Sequence, residues 1–267
     1  MIVFAAFTPH TPLVFSSVGQ GQTKNVARTV LALDRLREDL SMAQPDTIVV
    51  FSAHETRFDN AFCLNLHNEY TASLIEFGDH TTARAFHPDL AFMDTLQRAV
   101  RQAETPFTLV SDPQLGYASA IPLLSVIDRS IQPSIVPLTY SGLDAKAHLA
   151  FGRQVQEICH QSSRRIAIIA SGDLSHALSD NAPAGRRPEG PIFDDTVRHA
   201  LSSGTVSPLL SLDPLVVERA AECGYRPLLM LLGVLENRHM TPEILAYEAP
   251  YGVGYLTVHF HAHDRIA

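Results

Sequence analysis

The chain has 267 residues, of which 46% are hydrophobic and 18% charged, so it is long enough to bury a large core within one domain. Its formal net charge of −8 and its lack of long Lys/Arg clusters argue against nucleic acid or a membrane as a partner. Three scattered cysteines without a Cys-x-x-Cys pair argue against a disulfide framework and favour a reducing cytoplasm.

Short apolar runs alternate with longer amphipathic stretches along the chain. The first run has no basic flank, so it predicts a core strand rather than a signal peptide. In chain order, the runs predict strands at 2–7, 47–52, 61–66, 107–110, 134–139, 165–170, 243–248 and 253–260. The stretches between them predict helices at 24–42, 89–103, 119–129, 144–161, 191–202, 213–222 and 226–237. This alternation predicts a single α/β domain with a central, mostly parallel or mixed β-sheet and helices on both faces.

Four titratable residues stand where predicted strands end. His10, His54 and His176 each follow such a run, and Glu248 closes the run 243–248. Ligands of open α/β sheets bind beyond the carboxyl ends of strands, where loops distant in sequence converge. Two imidazoles and one carboxylate on one face of a divalent metal are typical of non-haem Fe(II) oxygenases. His10, His54 and Glu248 are therefore candidate metal ligands, and His176 is a candidate acid or base.

Simpler interpretations remain open for several of these residues. A lone histidine is more often a surface or core residue than a ligand, and only the combination favours a site. Glu248 also fits an edge-strand carboxylate paired with an arginine. Asp173 either supports His176 or caps the following turn. The Pro/Gly-rich stretch 177–190 after His176 is either a lid over a site or a plain surface loop.

A rival metal site lies near the C-terminus. His259, His261 and His263 alternate, so a strand would place all three on one face, and His-x-His pairs bind zinc in some hydrolases. Their position close to the chain end instead favours a frayed edge strand with adventitious metal binding.

The segments around these residues resemble the class III extradiol dioxygenase family, catalytic (B-type) subunit. The resemblance rests on Ser-Gly-Asp-Leu-Ser-His at 171–176 and on the segments 180–185, 222–226 and 247–255, and it runs nearly end to end. It is closest to the uncharacterised branch associated with AmmeMemoRadiSam systems. The resemblance implies one catalytic domain over 1–267, with Fe(II) held by His10, His54 and Glu248 and with His176 as the acid/base. Zinc or another divalent metal is expected to substitute for iron.

The activity implied by this resemblance is the opening of a catechol-type or aminophenol-type ring with O2, as in aromatic compound catabolism. The expected partners are a small aromatic substrate, O2, and a second copy or partner subunit. Two alternatives stay open: a Memo-like metal-binding protein without dioxygenase function, and a zinc-dependent hydrolase that uses the same pocket. One departure from the family is Leu115, since relatives often carry a second histidine before the glycine that matches Gly116. Tyr117 is a candidate substitute that contacts a metal ligand or the substrate, with plain packing as the alternative.

Overall fold

The computed structural model describes residues 1–238 and 240–262. The strands of this part of the chain are β1 (Ile2–Thr8), β2 (Thr47–Ser52), β3 (Phe62–Asn65), β4 (Tyr70–Leu74), β5 (Asp79–Phe86), β6 (Phe107–Val110), β7 (Ser134–Thr139), β8 (Ile166–Ser171), β9 (Met240–Glu248) and β10 (Tyr255–Ala262). The helices are α1 (Ser16–Gly19), α2 (Ala27–Ala43), α3 (Leu90–Gln102), α4 (Tyr117–Val126), α5 (Ala145–Gln161), α6 (Glu189–Ser203), α7 (Ser207–Leu210), α8 (Pro214–Ala220) and α9 (Tyr225–Leu235). Among the described residues, no helix is both long and apolar enough to cross a membrane.

Eight strands form one mixed sheet in the order β6-β3-β7-β2-β8-β1-β10-β9. The central strands β7, β2, β8 and β1 run parallel to one another, whereas β10 is antiparallel to both β1 and β9. Strands β4 and β5 form a separate hairpin. The expected single-domain α/β architecture with a mostly parallel or mixed sheet is confirmed.

The centre of the sheet is buried on both faces. Every residue of β2 and of β8 is buried, as continuous apolar runs predict for strands covered by helices on either side. The parallel register pairs Thr8 with Ser171 and Ser52 with Thr139, so β1, β8, β2 and β7 end at one edge. The loops that carry the candidate histidines therefore leave the sheet side by side.

The β4–β5 hairpin is the main element that the sequence analysis does not predict. Strand β5 is largely solvent-exposed and reads Asp-His-Thr-Thr-Ala-Arg-Ala-Phe, which lacks the apolar run of a core strand. Gly78 makes the turn before it with φ +82°, in the left-handed region that favours glycine. Because the outer face of this hairpin is polar, the sequence of β5 shows no apolar run from which a strand could be predicted.

The 177–190 stretch is a loop that is anchored to its surroundings. The Leu178 amide donates to the Gly252 carbonyl at 3.1 Å, and the Ala184 amide donates to the His176 carbonyl at 3.0 Å. Ala182 is buried. These contacts fix the loop beside His176, and helix α6 then begins at Glu189.

Helices α5 and α9 cross where two glycines touch, and this contact gives a first prediction. A Cβ on Gly152 would lie 2.1 Å from the Met230 carbonyl oxygen and 2.8 Å from the Gly233 Cα. Because both neighbours are backbone atoms, Gly152→Ala is expected to lower the free energy of unfolding by about 3 kcal/mol, measured by urea denaturation. Gly21→Ala is the control, since nothing lies within 4 Å of that Cβ. Equal stability of the two variants would contradict the prediction.

A buried histidine of α5 predicts acid sensitivity. His148 is held neutral, with Nδ1 2.7 Å from the Asp144 carbonyl and Nε2 accepting from the Ser141 amide at 3.3 Å. Burial lowers the pKa of His148 to about 4 from 6.5. The unfolded chain binds this proton at a higher pH than the folded one, so stability is complete above pH 6.5 and falls as the pH drops toward 4.

Between about pH 7.5 and about pH 5, the parent should lose about 2 kcal/mol more unfolding free energy than His148→Gln. Denaturant titrations of both proteins at the two pH values measure this difference. The other titrating groups are shared by both proteins, so they cancel. Parallel losses in the two proteins would show that His148 is not the group responsible.

Candidate metal centre

Three side chains from separate elements meet at the carboxyl edge of the sheet. The ligand atoms of His10, His54 and Cys223 all lie within 4.8 Å of one another. His10 comes two residues after β1, His54 comes two residues after β2, and Cys223 comes two residues before α9. The two imidazoles meet edge to face with centroids 5.1 Å apart, and His10 Nε2 lies 3.5 Å from Cys223 Sγ. The structure thus brings the expected histidine pair together, with a cysteine as its neighbour.

The backbone that presents Cys223 packs so closely that it requires glycine. A Cβ on Gly172, directly after β8, would lie 2.1 Å from the Gly224 Cα. The Gly172 amide donates to the Thr8 carbonyl at 3.0 Å, and the Cys223 amide donates to the Asp173 carbonyl at 3.3 Å. These contacts hold the segment before α9 against the ends of β1 and β8.

His54 has an unusual backbone conformation. Its φ of +53° lies in the left-handed region, which non-glycine residues adopt uncommonly and which costs free energy. Such conformations cluster at functional sites because the surrounding structure must hold them in place. Five other described non-glycine residues also have positive φ, so the conformation of His54 supports a functional role through its position beside His10 and Cys223.

Both histidines of the centre are neutral at pH 7. Burial, and secondly the charge of His176, lower the pKa of His10 to about 3. His54 is exposed to solvent overall, but partial desolvation of its ring, and secondly the charge of His10, lower the pKa of His54 to about 4. His10 Nδ1 lies 3.1 Å from Ser171 Oγ. In the tautomer that donates this hydrogen bond, Nε2 keeps a free lone pair on the side of Cys223, as metal-binding histidines require.

Asp173 and Cys223 complete the buried surroundings. The Asp173 carboxylate accepts a hydrogen bond from the His10 amide at 3.1 Å, and its second oxygen lies 3.6 Å from His10 Nε2. Burial raises the pKa of Asp173 to about 6, and it raises the pKa of the Cys223 thiol well above its usual range. A cation at the centre would favour the thiolate by charge, so two neutral imidazoles and this sulfur suit a transition metal.

His176, which the sequence analysis predicts to be an acid or base, lies close enough to this centre to influence His10. Its charge is the largest influence after burial on the pKa of His10, and it also acts on Asp173. Its Nδ1 is buried and has no hydrogen-bond partner among the described residues. A buried ring nitrogen without a partner is costly, so it indicates a ligand or water at this position.

Tyr117 packs directly on the histidine pair. Its ring stacks on His54 with centroids 5.0 Å apart and lies 5.3 Å from the His10 ring. Burial raises the pKa of the Tyr117 phenol to about 12, so the group is protonated at neutral pH. The structure brings Tyr117 to the centre, and its chemical role stays a prediction.

A cleft of about 370 Å³ opens beside His54, and Leu115 lines it. The Leu115 side chain is otherwise buried in the core, and its amide donates to the Thr71 carbonyl at 3.0 Å. Glu55 lines the same cleft and accepts a hydrogen bond from the Gly116 amide at 3.0 Å. Leu115, which stands where the resemblance implies a histidine, is thus close to the centre.

Glu248 is the expected ligand that the structure does not bring to the histidines. Its Oε1 accepts hydrogen bonds from the Thr29 amide at 2.7 Å and from Thr29 Oγ1 at 2.6 Å. Thr29 lies in the first turn of α2, whose N-cap residue Val26 provides no side-chain cap. The carboxylate therefore satisfies an amide at the positive end of a helix, a favourable position for an anion. The structure therefore places the Glu248 carboxylate at the start of α2 and Cys223 beside the histidine pair, and the role of Glu248 as a metal ligand stays a prediction.

The C-terminal histidines are paired with carboxylates. His259 Nδ1 lies 3.1 Å from Asp39 Oδ2, and His261 Nε2 lies 2.6 Å from Glu243 Oε2. His263 lies outside the described residues. Within 1–238 and 240–262, the only group of three ligand-type side chains close enough for one metal ion is His10, His54 and Cys223.

Comparisons with known proteins agree with the fold. Residues 4–258 match the family of the catalytic LigB subunit of aromatic ring-opening dioxygenase. Protein CA_C1420 of Clostridium acetobutylicum is 29% identical over 258 residues, which cover 92% of this chain and 55% of that protein, so the chain spans about half of its length. The uncharacterized protein JW3007 from Escherichia coli K12 has the same fold, with a TM-score of 0.63 at 19% identity over 97% of this chain and 100% of that chain. The chain therefore belongs to the LigB family.

Proposed function

We propose that this protein is a metal-dependent oxidoreductase that uses O2 on a small aromatic substrate. The observation that carries the proposal is the meeting of His10, His54 and Cys223, whose ligand atoms all lie within 4.8 Å of one another. Membership of a family of ring-opening dioxygenase subunits supports the reaction class. The strained backbone of His54 supports a functional role for this edge of the sheet.

The donor set bears on which metal is bound. Iron(II) is the expectation for two histidines and a carboxylate, whereas a thiolate in third place raises the preference for softer ions such as copper and zinc. Zinc has no redox chemistry. We therefore propose iron or copper as the active metal, with zinc as an inactive substitute.

The side chains around the centre have distinct tasks in this proposal. His10 and His54 bind the metal as neutral imidazoles, and Cys223 binds it as a thiolate after losing its proton. A redox-active metal supplies the electron transfer that lets O2 react with an aromatic ring.

His176 takes a proton from the substrate hydroxyl and returns one later, a task suited to an imidazole. Tyr117 confines the substrate by its position on His54.

A Memo-like metal-binding function without ring opening is the second candidate. Two points favour it: the Glu248 carboxylate is hydrogen-bonded to Thr29 at the start of α2, and Leu115 stands where the resemblance described above implies a histidine. The relative from Clostridium acetobutylicum is about twice as long as the matched region, so a partner domain or subunit is part of this alternative. A zinc hydrolase is the third, and metal identity separates it from the first.

The test is anaerobic loading of metal-free protein with Fe(II), Cu(I) or Zn(II), followed by metal analysis and oxygen-uptake assays. Catechol, protocatechuate, gallate and aminophenols are the substrates to screen. We expect one metal per chain and oxygen uptake with iron or copper only, and we expect His10→Ala to lose both. Metal binding without oxygen uptake on any substrate would favour the Memo-like alternative, and ester or amide hydrolysis with zinc would favour the hydrolase.

A further inference from the structure

Helix α6 carries a buried carboxylate that the proposed chemistry does not use. Asp194 is only 1% exposed; its Oδ1 accepts a hydrogen bond from the Ser175 amide at 2.8 Å, and its Oδ2 accepts one from the Tyr247 hydroxyl at 2.7 Å. Arg198 acts on Asp194 by charge, but it pairs with Asp195 and lies over the Tyr247 ring. Burial raises the pKa of Asp194 to about 6, so the group is mostly an anion at neutral pH. A buried anion costs free energy, and the two hydrogen bonds are its main compensation here.

The amide that donates to Asp194 belongs to the residue directly before His176. The Ser175 carbonyl accepts a hydrogen bond from the Gly254 amide at 2.9 Å, and the His176 amide donates to the Ala220 carbonyl at 2.9 Å. The partners of these two groups are backbone atoms, so Asp194 is the one side chain in this set that a substitution can remove. The backbone that presents His176 therefore depends on Asp194.

A glycine leaves the space that this carboxylate occupies. A Cβ on Gly254 would lie 2.2 Å from Asp194 Oδ2 and 3.0 Å from the Leu174 Cβ. The Leu174 amide donates to the Gly254 carbonyl at 2.8 Å, so the connection between β9 and β10 packs directly on the loop after β8. Asp194 thus joins three parts of the fold: α6, the loop that carries His176, and the end of β9 through Tyr247.

We propose that Asp194 is a positioning residue for His176: by holding the Ser175 amide, it fixes the place from which the His176 imidazole exchanges a proton with the substrate. The inference rests on the proposed function, in which His176 is the acid or base. The buried Nδ1 of His176 has no hydrogen-bond partner among the described residues, so the backbone has the larger part in placing the ring. A displacement of about 1 Å can lower the rate of a reaction by about 100-fold.

Steady-state oxygen uptake by variants of Asp194 gives the first test. Asp194→Ala removes the acceptor of the Ser175 amide, so turnover per metal-loaded chain should fall by about 10–100-fold, with the KM for the substrate and the metal content unchanged. Asp194→Asn keeps an oxygen for this amide and should restore most of the turnover. Asp89→Ala is the matched control, since Asp89 is also buried and also accepts from a backbone amide, that of Phe92, and from a hydroxyl, that of Thr47 at the opposite edge of the sheet. It should lower the stability of the fold and leave turnover unchanged.

NMR spectra of the full chain with isotope-labelled histidine test the positioning without the reaction. The ring signals of His176 are assigned by their absence from His176→Ala. They should shift in Asp194→Ala, return to the parent positions in Asp194→Asn and stay unchanged in Asp89→Ala. Should Asp194→Ala fail to fold, Asp194→Ser serves as the second variant, because its hydroxyl is polar but too short to reach the Ser175 amide.

The two measurements separate this inference from the proposed function. Unchanged His176 signals in the folded Asp194 variant, or an equal shift in Asp89→Ala, would overturn the positioning role. Parental turnover in a folded, metal-loaded Asp194→Ala protein would overturn it as well. A parent protein without oxygen uptake would contradict the proposed function instead, and the His176 signals would then still decide whether Asp194 positions this residue.

Discussion

Replacing Cys223 by alanine is expected to weaken metal binding by more than about 100-fold, because even residues that only support a ligand contribute 10–100-fold. The variant should keep its fold, since it loses one sulfur from a site whose position is set by backbone contacts of Gly172 and Gly224. Metal content per chain after anaerobic loading and desalting measures the effect. Cys223→Ser, which keeps the size but offers a hard oxygen, should bind copper and zinc less well than the parent.

Glu248→Gln is the matched comparison for this prediction. If Glu248 binds the start of α2 as the hydrogen bonds to Thr29 indicate, loss of its charge should leave the metal content unchanged and lower the unfolding free energy by about 0.5 kcal/mol, the usual effect of an anion at a helix N-terminus. The reverse pattern, with metal lost in Glu248→Gln and retained in Cys223→Ala, would restore the carboxylate as the third ligand.

The second large effect is expected at His176. His176→Ala should retain the metal and lose about 10²–10⁴-fold in turnover, the usual contribution of general acid/base catalysis. The reason is its position. The charge of His176 lowers the pKa of both His10 and Asp173, and its Nδ1 has no hydrogen-bond partner among the described residues. Steady-state oxygen uptake with the best substrate, together with metal analysis of the same sample, measures both quantities.

The control for His176→Ala is His199→Ala, an exposed histidine on α6 that should change neither quantity. A His176→Ala protein that loses its metal would make His176 a ligand. Full turnover in His176→Ala would leave the proposed proton transfer without its residue.

The fold and the histidine pair of the candidate centre could be predicted because their signals are local. His10 and His54 follow continuous apolar strands, and parallel strands end at one edge, so pattern alone places them together. Cys223 lacks such a signal because it precedes a helix and has no second cysteine at ligand spacing. A contact between two glycines brings it to the centre, and such a contact leaves no periodic trace in the sequence.

For Glu248, the sequence predicts the position in the strand but not the contact of the side chain. Its position at the end of β9 is predicted correctly, but the end of a strand does not determine which neighbour its side chain contacts. The partner is Thr29, which lies 219 residues earlier in the chain. A long-range hydrogen bond of this kind depends on how α2 packs against the edge of the sheet, and no local pattern reports that packing.

The contact between Gly172 and Gly224 has a consequence for how this centre can change. Two backbones in direct contact fix the location of residue 223 whatever side chain it carries, so the chemistry of the third ligand is independent of the framework that presents it. Histidine, aspartate or cysteine at this one position would offer donors of different hardness to the same pair of imidazoles. A single substitution at position 223 is thus expected to change the metal preference of the proposed centre, whereas a side chain at Gly172 or Gly224 would disrupt the backbone contact.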